Sequence, residues 1–239
     1  MVLKNTYHIS IIGSSVALRI RPNEAKGEGL NYGQIIETQL DPSKLVRVTN
    51  LSLSRMLITE VEYNLDSYIR TYPDLYIINI GAVDAPTREI PKWYSNIIFK
   101  RKSRTAYKLF FWVHKRLITR VRKYLVVLRG YRSWVSHKEY IHNFKKVIEI
   151  LQKETNAKIL VLGINKGNET VEVKLPRTTR NYVKYNESLQ QLCFIKSVDF
   201  LDVADLDSKE FFPDGVHYNR KGHIEIANRI INLYEQGKS

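Results

Sequence analysis

Short apolar runs alternate along the chain with longer stretches in which apolar positions recur every three or four residues. The short runs read as buried strands at residues 6–12 (TYHISII), 45–50 (LVRVTN), 74–80 (DLYIINI), 157–164 (AKILVLGI) and 198–203 (VDFLDV). The periodic stretches read as helices over about 54–71, 140–155, 181–193 and 221–235, with a polar loop after the fourth strand. Strands alternating with helices predict βαβ units, hence an α/β chain with a five-stranded parallel sheet covered on both faces. Ligands of such sheets bind at the carboxyl ends of the strands, so the polar residues just after each strand are the candidates for chemistry. No repeat or low-complexity linker divides residues 1–239, which predicts one domain carrying an insertion at about 98–138.

Composition changes this picture in one respect. Of 239 residues, 44% are hydrophobic and 26% charged, which excludes a disordered or fibrous chain. Lysine and arginine number 38 against 24 acidic residues, a formal charge of +14. Thirteen of the basic residues and no acidic one lie between Lys100 and Lys138, leaving 25 basic against 24 acidic elsewhere. The chain is a nearly neutral frame with one strongly basic segment.

Cys193 is the sole cysteine, so no intrachain disulfide can form. The N-terminal stretch has a lone Lys4, is interrupted by His8 and Ser10, and lacks the pattern of a signal peptide. No apolar run approaches the ~20 residues that cross a bilayer. These features predict a cytoplasmic protein. The six histidines are scattered, so neither a metal site nor a cofactor is expected.

Two segments point to chemistry. After the first strand, Ile12-Gly13-Ser14-Ser15-Val16-Ala17 runs through a turn of small residues into a helical start. That arrangement can hold a serine oxygen beside helix N-terminal amides, and it also suits a serine that only caps the helix. Near the C-terminus, Asp214-Gly215-Val216-His217 places an acid three residues before a histidine across a glycine turn. A histidine acting as a base needs such a carboxylate on its other nitrogen to fix the tautomer.

Together these segments resemble the SGNH/GDSL hydrolase family, whose motifs occur here in the family's order over nearly the whole chain. The block DGVHYNRKGH, from Asp214 to His223, is the most specific match. The resemblance implies a three-layer α/β/α, flavodoxin-like (SGNH) fold, with Ser15 as nucleophile, His217 as base and Asp214 as its orienting acid. The short Asp–His spacing separates it from the α/β-hydrolases.

Three blocks depart from the family pattern. Ser14 stands where the family usually has Asp, which makes it a competing serine and a candidate to line the site. Arg55 replaces a glycine that serves the oxyanion hole. In Gly81-Ala82-Val83-Asp84, Val83 replaces the oxyanion-hole Asn, a loss that typically costs about 10²–10³ in rate. Gly81, Ala82 or Arg55 could rebuild the hole, with the amides of Ser15 and Arg55 receiving the oxyanion. The run Asp84-Ala85-Pro86-Thr87-Arg88 is similar to SGNH proteins of bacterial surface-polysaccharide loci, and it offers Asp84 and Arg88 as further site-lining candidates. Asp84 suits a turn or a helix cap equally well.

The resemblance implies a serine esterase that removes or transfers an acyl group, acetyl foremost, on a carbohydrate or glycan. A different reading is a catalytically weak SGNH scaffold that binds an anionic glycan, lipid surface or nucleic acid through its basic segment.

Within that segment Phe110, Phe111, His114, Leu117, Ile118, Val121, Leu125 and Leu128 form one apolar stripe at helical spacing. Lys108, Lys115, Arg116, Arg120, Arg122 and Lys123 fall mainly outside it, with Trp112. Such a stripe can pack on its own domain or on a second copy in a homodimer. It can also lie on an anionic membrane at the inner face, through residues 100–138. Nucleic acid is the least favoured partner, because no nucleic-acid-binding motif accompanies the charge.

Overall fold

A computed structural model describes residues 6–18, 20, 29–40, 45–99 and 105–236. Five strands, β1 (Thr6–Gly13), β2 (Leu45–Asn50), β3 (Leu75–Asn79), β4 (Lys158–Leu162) and β5 (Asp199–Leu201), form one sheet of order β2-β1-β3-β4-β5. Every pairing is parallel, with Ile11 beside both Asn50 and Ile77 in register. This is a doubly wound order in which the winding reverses between β1 and β3, the place where such sheets bind ligands. The inner strand β3 is buried throughout, whereas the edges β2 and β5 are partly exposed.

Eleven α-helices are seen among the described residues: α1 (Tyr32–Gln39), α2 (Ile58–Tyr63), α3 (Leu65–Ile69), α4 (Lys92–Phe99), α5 (Thr105–Val113), α6 (Arg122–Leu128), α7 (His137–Glu154), α8 (Glu169–Lys174), α9 (Thr178–Ile195), α10 (Ser208–Phe211) and α11 (Arg220–Gln236). The core joins Ile9, Ile11 and Ile12 of β1 and Ile77 of β3 to Tyr140, Phe144 and Leu151 of α7, Leu189 of α9 and Ile226 of α11. Ser136 and Glu139 start α7 with reciprocal side-chain-to-backbone bonds, which satisfy two otherwise unpaired donors at its first turn.

Besides the short helices α1, α4 and α10, which the spacing does not predict, the structure departs from the sequence pattern in three places. The helix expected over 54–71 is two short ones, because Asn64 leaves helical geometry (φ −99°, ψ 14°) and its Nδ2 donates to the Glu60 carbonyl at 2.7 Å. The polar loop after β4 contains α8, capped by Asn168 accepting from the Val171 amide at 3.1 Å.

The third departure is the basic stripe, which is not one continuous helical face. A π-helical turn at His114–Ile118 separates α5 from α6 and rotates the apolar positions out of line. His114 is buried, and Phe110 and Ile118 join a satellite core with Ile90, Tyr94, Ile98 and Trp134. Phe111, Leu117, Val121 and Leu128 face solvent instead, Leu128 at 83% exposure. Lys100, Arg101, Lys102 and Arg104 of the segment lie outside the described residues.

The excursion from the frame closes at its base. Thr87 and Ser133 form an isolated antiparallel bridge, and the Arg88 amide donates to the Arg132 carbonyl at 2.9 Å. Ser133 and Asn181 both donate to the Ala85 carbonyl, tying this clasp to α9. The stems therefore meet well before residue 98.

Candidate active site

Ser15 begins a short 3₁₀ turn that follows β1 directly. The turn is held from three sides. The Ser14 amide donates to the Asn79 carbonyl at the end of β3, and the Leu53 amide donates to the Gly13 carbonyl. Asn50, at the end of β2, donates to the Ala17 carbonyl at 2.9 Å. Gly13 is needed for close approach, since a Cβ there would lie 2.8 Å from both Ala17 Cβ and Ser52 Oγ.

His217 comes from the loop before α11. Its Nε2 lies 2.9 Å from Ser15 Oγ and its Nδ1 2.8 Å from Asp214 Oδ2. Asp214 Oδ1 also accepts the amides of Val216 and His217, at 2.9 and 2.7 Å. Burial pushes the Asp214 carboxyl up, but these hydrogen bonds outweigh it and hold the group below the usual carboxylate range. The acid thus stays ionised and orients the histidine.

Gly215 makes the turn between acid and histidine at φ +82°, where an added Cβ would sit 2.3 Å from Asn168 Oδ1. Asn165 and Asn168, both after β4, donate to the carbonyls of Val216 and Pro213. They position the histidine loop and did not stand out in the sequence, where only their place just after a strand marked them. The second histidine of the block, His223, is fully buried, and its Nδ1 accepts the Tyr32 amide at 3.2 Å, so it serves packing.

Ser15 and His217 open into a pocket of roughly 360 Å³ whose wall includes Arg55, Val83, Arg88, Arg122, Trp134 and Lys174. Arg55 adopts φ +64°, the left-handed region that suits the glycine it replaces. Burial, and next the nearby charge of Arg88, lowers the Arg55 guanidinium to about 10. Arg88 lies 4.1 Å over the Trp134 ring and donates to the Val83 carbonyl at 2.8 Å.

Three other candidates are placed elsewhere. Ser14 is fully buried beneath the turn and is not on the pocket wall. Asp84 is fully buried as well, and its Oδ1 accepts the Ile58 amide at 2.9 Å, which caps α2. Burial pushes its carboxyl up to about 7 against the pull of that amide and of Arg88. Gly81 lies behind the wall, where a Cβ would meet Ile164 at 2.6 Å and Tyr140 Oη at 2.7 Å; its lack of a side chain is a packing requirement.

No group of three metal-ligating side chains occurs among the described residues. Among them, too, no helix is long and apolar enough to cross a membrane.

No family model and no curated protein matches the chain. Solved structures do. An acetylxylan esterase from Geobacillus stearothermophilus aligns over 95% of this chain and 93% of its own, with TM-score 0.59 and 17% identity. A lipase/acylhydrolase from Enterococcus faecalis aligns over 95% of this chain and 94% of its own, with TM-score 0.62 and 12% identity. Over nearly its whole length this chain, with its five-stranded parallel sheet between helices, shares the fold of these structures, the SGNH-type α/β/α fold that the sequence motifs implied.

Proposed function

We propose that the protein is a serine esterase that cleaves, or transfers, an acetyl group carried as an ester on a carbohydrate. The observation that carries this reading is the hydrogen-bonded run from Ser15 through His217 to Asp214, at the carboxyl ends of the strands. The acetylated carbohydrate is suggested by the name of the Geobacillus neighbour.

Ser15 Oγ attacks the ester carbonyl while His217 Nε2 takes its proton, and Asp214 stabilises the resulting imidazolium. The oxyanion is received by the amides of Ser15 and Arg55. Collapse breaks the bond to the sugar oxygen, which takes the proton back from His217 and leaves acetyl on Ser15. Water, deprotonated by His217, then releases acetate; in transfer, a sugar hydroxyl takes the place of water.

A fluorophosphonate probe tests the reading directly. It should label the wild-type protein on Ser15 and leave Ser15→Ala unlabelled, and the wild type should release acetate from an acetylated sugar. No labelling and no acetate would instead favour a scaffold that binds without catalysis.

The excursion supports a location for this chemistry. Leu109, Trp112, Leu117 and Leu128 are each more than half exposed, interspersed with Lys108, Lys115, Arg116 and Lys123. Apolar side chains among cations complement an anionic bilayer surface. Sedimentation with phosphatidylglycerol vesicles but not with phosphatidylcholine vesicles is the expected result. A dimer in solution with no vesicle binding would assign the same face to a second copy.

A further inference from the structure

The pocket wall carries a concentration of positive charge that the ester chemistry does not require. Arg55 comes from the loop after β2, Arg88 and Arg122 from the two arms of the excursion, and Lys174 from α8. Among the described residues that line this pocket there is no aspartate or glutamate.

Glu89, a carboxylate close to the cluster, stands behind the wall. It is 7% exposed and pairs with Arg122 Nε at 2.9 Å. It therefore anchors one guanidinium and leaves the cluster with a surplus of cations. Asp84, beneath Arg88, is fully buried and spends its Oδ1 on the Ile58 amide.

Gathering like charges in a half-buried pocket is unfavourable in the empty protein. Burial first, and then Arg88, draws protons away from Arg55; burial lowers Arg88 too, opposed by Tyr182, Glu89 and Asp84 and reinforced by Arg122. Such an arrangement is relieved by an anion, and guanidinium groups favour planar, bidentate recognition of carboxylate and phosphate. The geometry is already fixed on one side, because Arg88 is held between the Trp134 ring and the Val83 carbonyl.

Resting on the esterase reading, we infer that the substrate is an ester of an anionic carbohydrate, with a carboxylate or phosphate on the sugar portion held by Arg55, Arg88, Arg122 and Lys174. The charge belongs to the sugar because an acetyl group has none to offer. A pocket of this size takes small-molecule ligands, so the charged group falls on the acetylated sugar itself or its immediate neighbour.

The test uses three acetylated methyl glycosides of matched size: glucoside, glucuronide and glucoside 6-phosphate. Each is titrated calorimetrically into Ser15→Ala protein, which binds without turnover. At least one anionic ligand should bind tenfold or more tightly than the neutral one, about 1.4 kcal/mol. The advantage should shrink as salt rises and should disappear in the Ser15→Ala, Arg122→Gln double variant. The carboxylate and phosphate arms identify which anion the pocket prefers.

Equal affinity for all three glycosides overturns the inference, and so does a preference that survives Arg122→Gln and 0.5 M salt. The esterase reading is judged separately, by fluorophosphonate labelling of Ser15 in the wild type. Labelling without anion preference removes only the substrate class. Anion preference without labelling removes only the catalysis.

Discussion

The doubly wound frame and the basic excursion obey different rules. The frame is nearly neutral, regular in its alternation of strand and helix, and holds Ser15, Asp214 and His217 through backbone turns and asparagine side chains. The excursion is cationic, broken by a π-helical turn, and packs on a satellite core around Ile90, Tyr94 and Ile98. Yet it contributes Arg88 and Arg122 to the pocket that the frame's serine opens into. The pocket beside the serine is therefore shared, with Ser15, His217, Arg55 and Lys174 supplied by the regular frame and Arg88 and Arg122 by the irregular addition.

The largest expected effect falls on the frame. Ser15→Ala and His217→Ala should each lower acetyl-ester turnover by about 10⁴ or more, with unchanged circular dichroism. Turnover within tenfold of wild type in either would break the division, because the frame would then not house the reaction. Next comes Gly215→Val, which places a side chain at φ +82° against Asn168. It should lower turnover by about a hundredfold by displacing His217, and lower stability by about 1–3 kcal/mol in denaturant titration.

On the excursion, replacing Leu109 and Trp112 together by serine should abolish sedimentation with anionic vesicles. The rate on a soluble ester should stay within twofold, since neither residue lines the pocket. A large loss of that rate would show the two regions to be coupled.

The smallest effect belongs to Asp84. Its carboxyl is raised to about 7 in the folded protein from an ordinary value near 3.8, so the folded state holds its proton more tightly than the unfolded. This group's contribution to stability accordingly falls as pH rises from about 4 to 7. Asp84→Asn should remove that slope and raise the melting temperature by a few degrees at pH 8, read by thermal scans across pH.

Periodicity made the frame legible. All five strands and the long helices α7, α9 and α11 follow from apolar spacing, because each must turn a continuous face to the core. The serine and histidine turns were visible because their spacing is local. Short helices were not: α1 has only Tyr32, Ile35 and Ile36 as its buried apolar face, and its clearest signal is the reciprocal cap of Asn31 and Gln34. The apolar stripe over 110–128 misled because spacing assumes a regular helix, and the π-turn shifts the register midway. Asp84 was ambiguous because a cap and a pocket acid look alike until the Ile58 amide is seen beneath it.

The clasp between Thr87 and Ser133 gives the excursion a single point of departure and return. Glu89, His114 and Arg122 all lie beyond it, so the buried carboxylate leaves together with the cation it holds. The frame would lose no half of that ion pair if the loop were exchanged for another of different charge. Arg88 and Arg122 are in this sense a detachable half of the pocket's positive charge, replaceable while Arg55, Lys174, the serine turn and the histidine loop keep their supports.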